Sequence, residues 1–106
     1  MSFAVKNTGS DSKRKCIGIT GHLDFQTIPV LWRRIQPVVE KLHELHFDFS
    51  RVEGVSSSAA LALLIEWIRY AEKTGKSLRF DALPAQLVSI GKAAGIGELL
   101  EKYCQP

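Results

Sequence analysis

Three successive serines, Ser56, Ser57 and Ser58, stand between a strand-like run, Phe47-Asp48-Phe49, and a long apolar stretch with helical periodicity. Hydroxyls at a helix start meet its unpaired backbone N–H groups and its positive dipole end. Three kinds of chemistry fit that position: capping the helix, touching an anion, or accepting a phosphate. Capping is a sufficient role for at least one serine, and such a cap contributes about 1 kcal/mol. No Glu or Gln stands three residues on from Ser56 or Ser57, so no capping box forms. A phosphate on Ser57 or Ser58 would meet the dipole favourably, and it would add bulk and about two negative charges to any docking surface. The two roles can fall on neighbouring serines.

Other reactive residues offer less. His22, His43 and His46 have no Cys or carboxylate at metal-ligand spacing, so no metal site is expected. Cys16 and Cys104 are far apart and form no CxxC, which fits a reducing, cytosolic setting. There is no GxxxxGK or GxGxxG loop, and no Ser/His/Asp arrangement can be argued from sequence order. Asp24 sits at a turn, where capping is its ordinary role, and Asp48 reads as the polar side of its strand. The chain is thus expected to be no enzyme and to use no cofactor. Basic residues gather at Lys13-Arg14-Lys15 and Arg33-Arg34, with a net charge of only +3. No basic stripe interleaves with aromatics, which argues against nucleic acid as a partner.

These residues need elements to hold them. At 106 residues, 45% hydrophobic and 24% charged, the chain reads as a single globular domain over 1–106. The opening MSFAVKNTGS lacks the apolar core of a signal peptide, and no apolar run reaches the ~18 residues of a membrane span. Phe3-Ala4-Val5 and Cys16-Ile17-Gly18-Ile19-Thr20 read as strands of an N-terminal hairpin over 2–20, joined through turn residues at 7–12. Gly21-His22-Leu23-Asp24 then reads as a turn. A helix is predicted over 27–45, with Ile28, Leu31, Ile35, Val38 and Leu42 on one face, Thr27 as its cap and Pro37 as a bend. A strand at 47–49, a helix over 57–73, a strand over 76–80 and a helix from Pro84 to a stop at Gly95 follow. Leu87, Ile90 and Ala94 are expected on the inner face of that helix, and Leu99-Leu100 in a last helical turn. The order β-β-α-β-α-β-α implies an α/β fold, a small mixed sheet of about four strands with helices packed on it. The serine loop then leaves the carboxyl end of the third strand, the edge where such sheets bind ligands and partners.

The helix over 57–73 carries the sharpest pattern. Ala60, Leu61, Leu64, Ile65, Trp67, Ile68 and Ala71 fall on one broad arc. Trp67 lies at its edge, with Leu63 and Tyr70 just outside on the same side. They read either as isolated edge residues or as a docking patch continuing from Ser58 and Ala59.

In order, Gly21-His22-Leu23-Asp24, Phe47-Asp48-Phe49-Ser50-Arg51-Val52 and Val55-Ser56-Ser57-Ser58-Ala59-Ala60-Leu61-Ala62-Leu63-Leu64 resemble the STAS domain (sulfate transporter and anti-sigma factor antagonist). The third run is similar to the family's V-D-[ST]-[AG]-G-L-A-L-L, and the ending Leu87…Gly95-Ile96-Gly97-Glu98-Leu99-Leu100 also fits. The resemblance covers about Ile17 to Leu100. Within the family the chain most resembles the small cytoplasmic STAS subunit of the Mla phospholipid-transport ABC system. That resemblance implies a non-catalytic accessory subunit that binds the ATPase subunit and reaches the inner membrane through that partner, in the service of outer-membrane lipid asymmetry. It implies a docking surface of Glu53, Gly54, Val55, Ser56, Ser57, Ser58 and Ala59, with Leu63, Trp67 and Tyr70 as apolar contacts. The alternative is an anti-sigma factor antagonist phosphorylated on Ser57 or Ser58. The family's Asp before the hydroxyl is absent, which weakens the kinase-driven switch. The chain is also one residue longer there, so the hydroxyl maps to Ser58 if the helix sets the register and to Ser57 if the strand does.

Overall fold

Leu45, Phe47 and Phe49 alternate with Glu44, His46 and Asp48, a period of two that puts apolar side chains on one face of a strand and polar ones on the other. In a computed structural model of the protein, which describes residues 2–7, 15–55 and 57–104 and the backbone alone at 2–7, 15, 57 and 58, this face is the floor of the core. Four strands, β1 (Ser2–Asn7), β2 (Lys15–Leu23), β3 (Glu44–Val55) and β4 (Ser77–Asp81), form one sheet in sequential order. β1 pairs antiparallel with β2, as the predicted hairpin requires, while β2, β3 and β4 run parallel. Helix α1 (Ile28–Lys41) joins β2 to β3, and α2 (Ser57–Thr74) joins β3 to β4. Two right-handed crossovers advancing in the same direction put both helices on the same face of the sheet. Ile17, Ile19, Leu45, Phe47, Phe49 and Phe80 are buried beneath them, and His46, Asp48, Arg79 and Asp81 lie half-buried or exposed.

Trp67 on α2 anchors this core. Its ring stacks on Phe47 with centroids 3.9 Å apart and 14° between planes, and Trp32, Phe49 and Phe80 surround it at 6.3–6.5 Å. Each well-placed aromatic pair contributes about 0.5–1.5 kcal/mol beyond the area it buries.

Several boundaries differ from those predicted. α1 stops at Lys41 rather than at 45, because Leu45 obeys the two-residue period of β3, where it pairs with Leu78. Helix α1 does run through Pro37, which leaves the Arg33 carbonyl without its intrahelical donor. Its last carbonyls are served from outside: Lys76 Nζ donates to Val39 O at 2.7 Å and to Glu40 O at 3.0 Å. Gly21-His22-Leu23 is strand rather than turn, and β3 runs to Val55 rather than 49. Shifts in the β2–β3 register accommodate this extension, and Gly21 takes a positive φ of 91°. Polar Ser50, Arg51 and Glu53 hid this half of the strand, whose backbone pairing does not depend on side-chain polarity.

Past β4, α3 (Ala85–Ala93) ends at Gly95 as predicted, closed by bonds from Gly95 N to Lys92 O and Ile96 N to Gly91 O. Ala94, expected inside, is exposed; Gly91 faces inward in its place. A Cβ on Gly91 would stand 2.3 Å from Leu100 Cδ1. Leu100 belongs to a full helix, α4 (Gly97–Tyr103), so the order gains a final α. Tyr103 Oη donates to Glu72 Oε1 at 3.0 Å and ties α4 to α2. Of the turn predicted over 7–12, Asn7 is the last residue of β1 and the rest lies outside the described residues.

Candidate functional site

The parallel strands β2 and β3 end side by side at Leu23 and Val55, so α1 and α2 begin together at the carboxyl edge of the sheet. Asp24 makes the first turn. Its Oδ1 accepts the N–H groups of Gln26 at 2.8 Å and Thr27 at 2.9 Å. The Thr27 backbone bond first, and that from Gln26, hold the Asp24 carboxyl below its ordinary pKa against the opposing pull of desolvation. Thr27 does not cap α1 with its side chain. Its hydroxyl instead donates to His22 O at 2.8 Å and accepts from Asp24 N at 3.0 Å.

His22 pairs across the sheet with Gly54, and its ring covers that backbone so closely that a Cβ on Gly54 would stand 2.7 Å from His22 Cδ2. His22 Nδ1 lies 3.7 Å from Glu53 Oε2, with both side chains exposed. Val55 and Gly54 are half-buried. Ser56 lies outside the described residues. Ser57 and Ser58 open α2, with their side chains outside the description.

Where the two helices start, they leave an open apolar groove of about 430 Å³. Ile28, Pro29 and Trp32 of α1 form one wall, and Ala59, Ala62 and Leu63 of α2 the other. Arg33 and Glu66 lie one turn further along and close its charged end. Before α1 and in its first turn, Phe25 is 69% exposed and Val30 51%, the large apolar side chains that the described surface leaves in water.

The structure sorts the predicted contacts. Glu53 is at the surface of the sheet edge, and Ala59 and Leu63 line the groove. Leu63 is 3% exposed, so it is floor rather than projecting contact. Trp67 is 0% exposed. Its place at the edge of the arc is occupied from the α1 side by Trp32, which makes it core and removes it from a docking face. Tyr70 is half-buried two turns beyond Leu63, with Lys76 Nζ 5.3 Å from its ring centroid, away from the helix starts. The α1 wall was not foreseen. Pro29 gave the available signal, since it is apolar yet falls off the buried stripe of α1.

Among the described residues, no three His, Cys, Asp or Glu stand close enough together to hold a metal ion, and no helix is long and apolar enough to cross a membrane. Cys104 sits at the outer edge of β4, where burial first, then Asp81 and Glu101, raise its thiol pKa above the ordinary value. A thiol held protonated is a poor nucleophile.

A small α/β sheet whose helix starts converge on an apolar groove defines a domain class, and sequence comparison gives its family. A family model described as "Mlab, STAS domain" matches residues 7–101. The chain belongs to the STAS domain family. The solved structure of the anti-sigma factor antagonist SpoIIAA in its unphosphorylated form aligns with 98% of this chain and 86% of that one, at a TM-score of 0.69 and 14% identity. At that identity the likeness is one of fold. No curated protein matches the chain.

Proposed function

We propose that this chain is a non-catalytic cytoplasmic subunit that docks the ATPase of a phospholipid-transporting ABC complex and supports its assembly or activity. Outer-membrane lipid asymmetry would be the process served. The observation that carries this reading is the open groove between α1 and α2, apolar on both walls and set beside the start of α2. An open groove with apolar walls is the kind of surface that a protein partner covers. The "Mlab" description of the family model supports the choice of partner. Inner-membrane association would come through that partner.

Ala62 is the fold-preserving place to test the groove, because it is an exposed wall residue. Ala62→Gln puts a long neutral side chain into the groove. It should abolish co-elution with the purified ATPase subunit while leaving the thermal unfolding curve unchanged. Undiminished complex formation by this variant would contradict docking in the groove.

The second reading, an anti-sigma factor antagonist, is favoured by Ser57 and Ser58 opening α2 at the sheet edge. The missing Asp before the hydroxyl counts against it. Mass spectrometry of the peptide spanning 52–69 after incubation with an anti-sigma kinase decides: phosphate on Ser57 or Ser58 supports the switch, and an unmodified peptide removes it.

A further inference from the structure

The groove's two charged residues are not equivalent. Glu66 Oε1 is 3.4 Å from Arg69 Nη1 on the same helix, an exposed pair that offsets part of its charge. Arg33, on the opposite wall, makes no side-chain hydrogen bond or ion pair with any described residue, and neither does its exposed neighbour Arg34. Of the two charges that line the groove, Arg33 is therefore the one with no counter-ion among the described residues.

A partner that covers the apolar walls also strips water from Arg33. A cation desolvated without a counter-ion is costly, so a purely apolar segment would be rejected. A carboxylate placed there meets a planar guanidinium that can hold both of its oxygens. We propose that the groove selects a segment of the ATPase subunit in which an apolar stretch is followed by an Asp or Glu that Arg33 receives. This rests on the docking reading above and adds the acidic anchor to it.

Titration of the purified ATPase subunit against wild type, Ala62→Gln, Arg33→Gln, Arg33→Lys and Arg33→Glu tests both. Arg33 is exposed, so its variants should fold, and circular dichroism melts check this. Truncating one partner of a desolvated charge pair costs enough to predict roughly a tenfold loss for Arg33→Gln and roughly a hundredfold for Arg33→Glu. Arg33→Lys should fall between wild type and Arg33→Gln. Loss with Ala62→Gln but wild-type affinity for Arg33→Glu would overturn the acidic anchor and leave groove docking standing. Wild-type affinity for both would overturn groove docking itself. Should Arg33→Glu keep its affinity for the subunit but lose binding to phosphatidylglycerol vesicles, Arg33 serves a lipid headgroup and the anchor is refuted.

Discussion

Trp67 and Leu63 look alike on a helical projection but have different roles. Trp67 has no exposed surface, and its stack with Phe47 joins α2 to the middle strand. Trp67→Ala should therefore cost about 3–5 kcal/mol of stability. Trp67→Phe keeps an aromatic ring and removes an indole Nε1–H that is buried without a partner among the described residues. It should fold, and should bind the ATPase subunit as wild type does; denaturant titration with a binding assay measures both, and weakened binding by a stably folded Trp67→Phe would restore it to the interface. Asp81 has a role on the outer face of the sheet. Burial raises its pKa, but hydrogen bonds from His46 and Arg79 outweigh this and set it below the ordinary 3.8. A carboxyl whose folded pKa is depressed stabilises the fold above its unfolded pKa and loses that contribution as pH falls through the folded value. Asp24 acts with the same sign. The melting temperature should thus drop as pH falls below about 4. Asp81→Asn should lower the plateau near neutral pH and flatten this acid limb. An acid limb as steep as that of wild type would show that Asp81 is not linked to folding.

At the scale of elements, periodicity carried most of the information. Of the arc read on α2, Ala60, Leu61, Leu64, Ile68 and Ala71 are buried and Ile65 is half-buried, while Trp67, read as lying at the arc's edge, is core. The alternation around Phe47 identified β3, whose outer half was illegible because polar Ser50, Arg51 and Glu53 break the pattern while the backbone continues to pair with β2. α4 was legible only as a turn, since seven residues give too few repeats for a period to emerge. The contact holding α4 in place is also absent from any apolar pattern, because it depends on a missing side chain. Gly91 lets Leu100 approach α3 to a distance that a Cβ forbids. Gly91→Val should overpack this seam and destabilise the domain by about 1–3 kcal/mol. Thermal unfolding gives the value, and an unchanged melting temperature would mean that α4 is not seated there.

For the whole molecule, half of the candidate site was legible. The serine run located the start of α2 and the edge of the sheet, because a strand, a hydroxyl loop and an apolar helix follow one another directly in sequence. The facing wall was not, because Ile28, Pro29 and Trp32 approach Ala59, Ala62 and Leu63 only after the crossover through β3 brings the starts of α1 and α2 together. That juxtaposition turns two ordinary amphipathic helices into an apolar groove with one charged end, and the proposed docking of an ABC ATPase would depend on it. Mixing the purified protein with the ATPase subunit, and measuring complex formation by analytical ultracentrifugation for wild type and Ala62→Gln, tests this most directly. A stable complex with wild type that Ala62→Gln fails to form is the expected result. Wild-type protein that sediments alone beside the ATPase, or an Ala62→Gln complex indistinguishable from wild type, would contradict it.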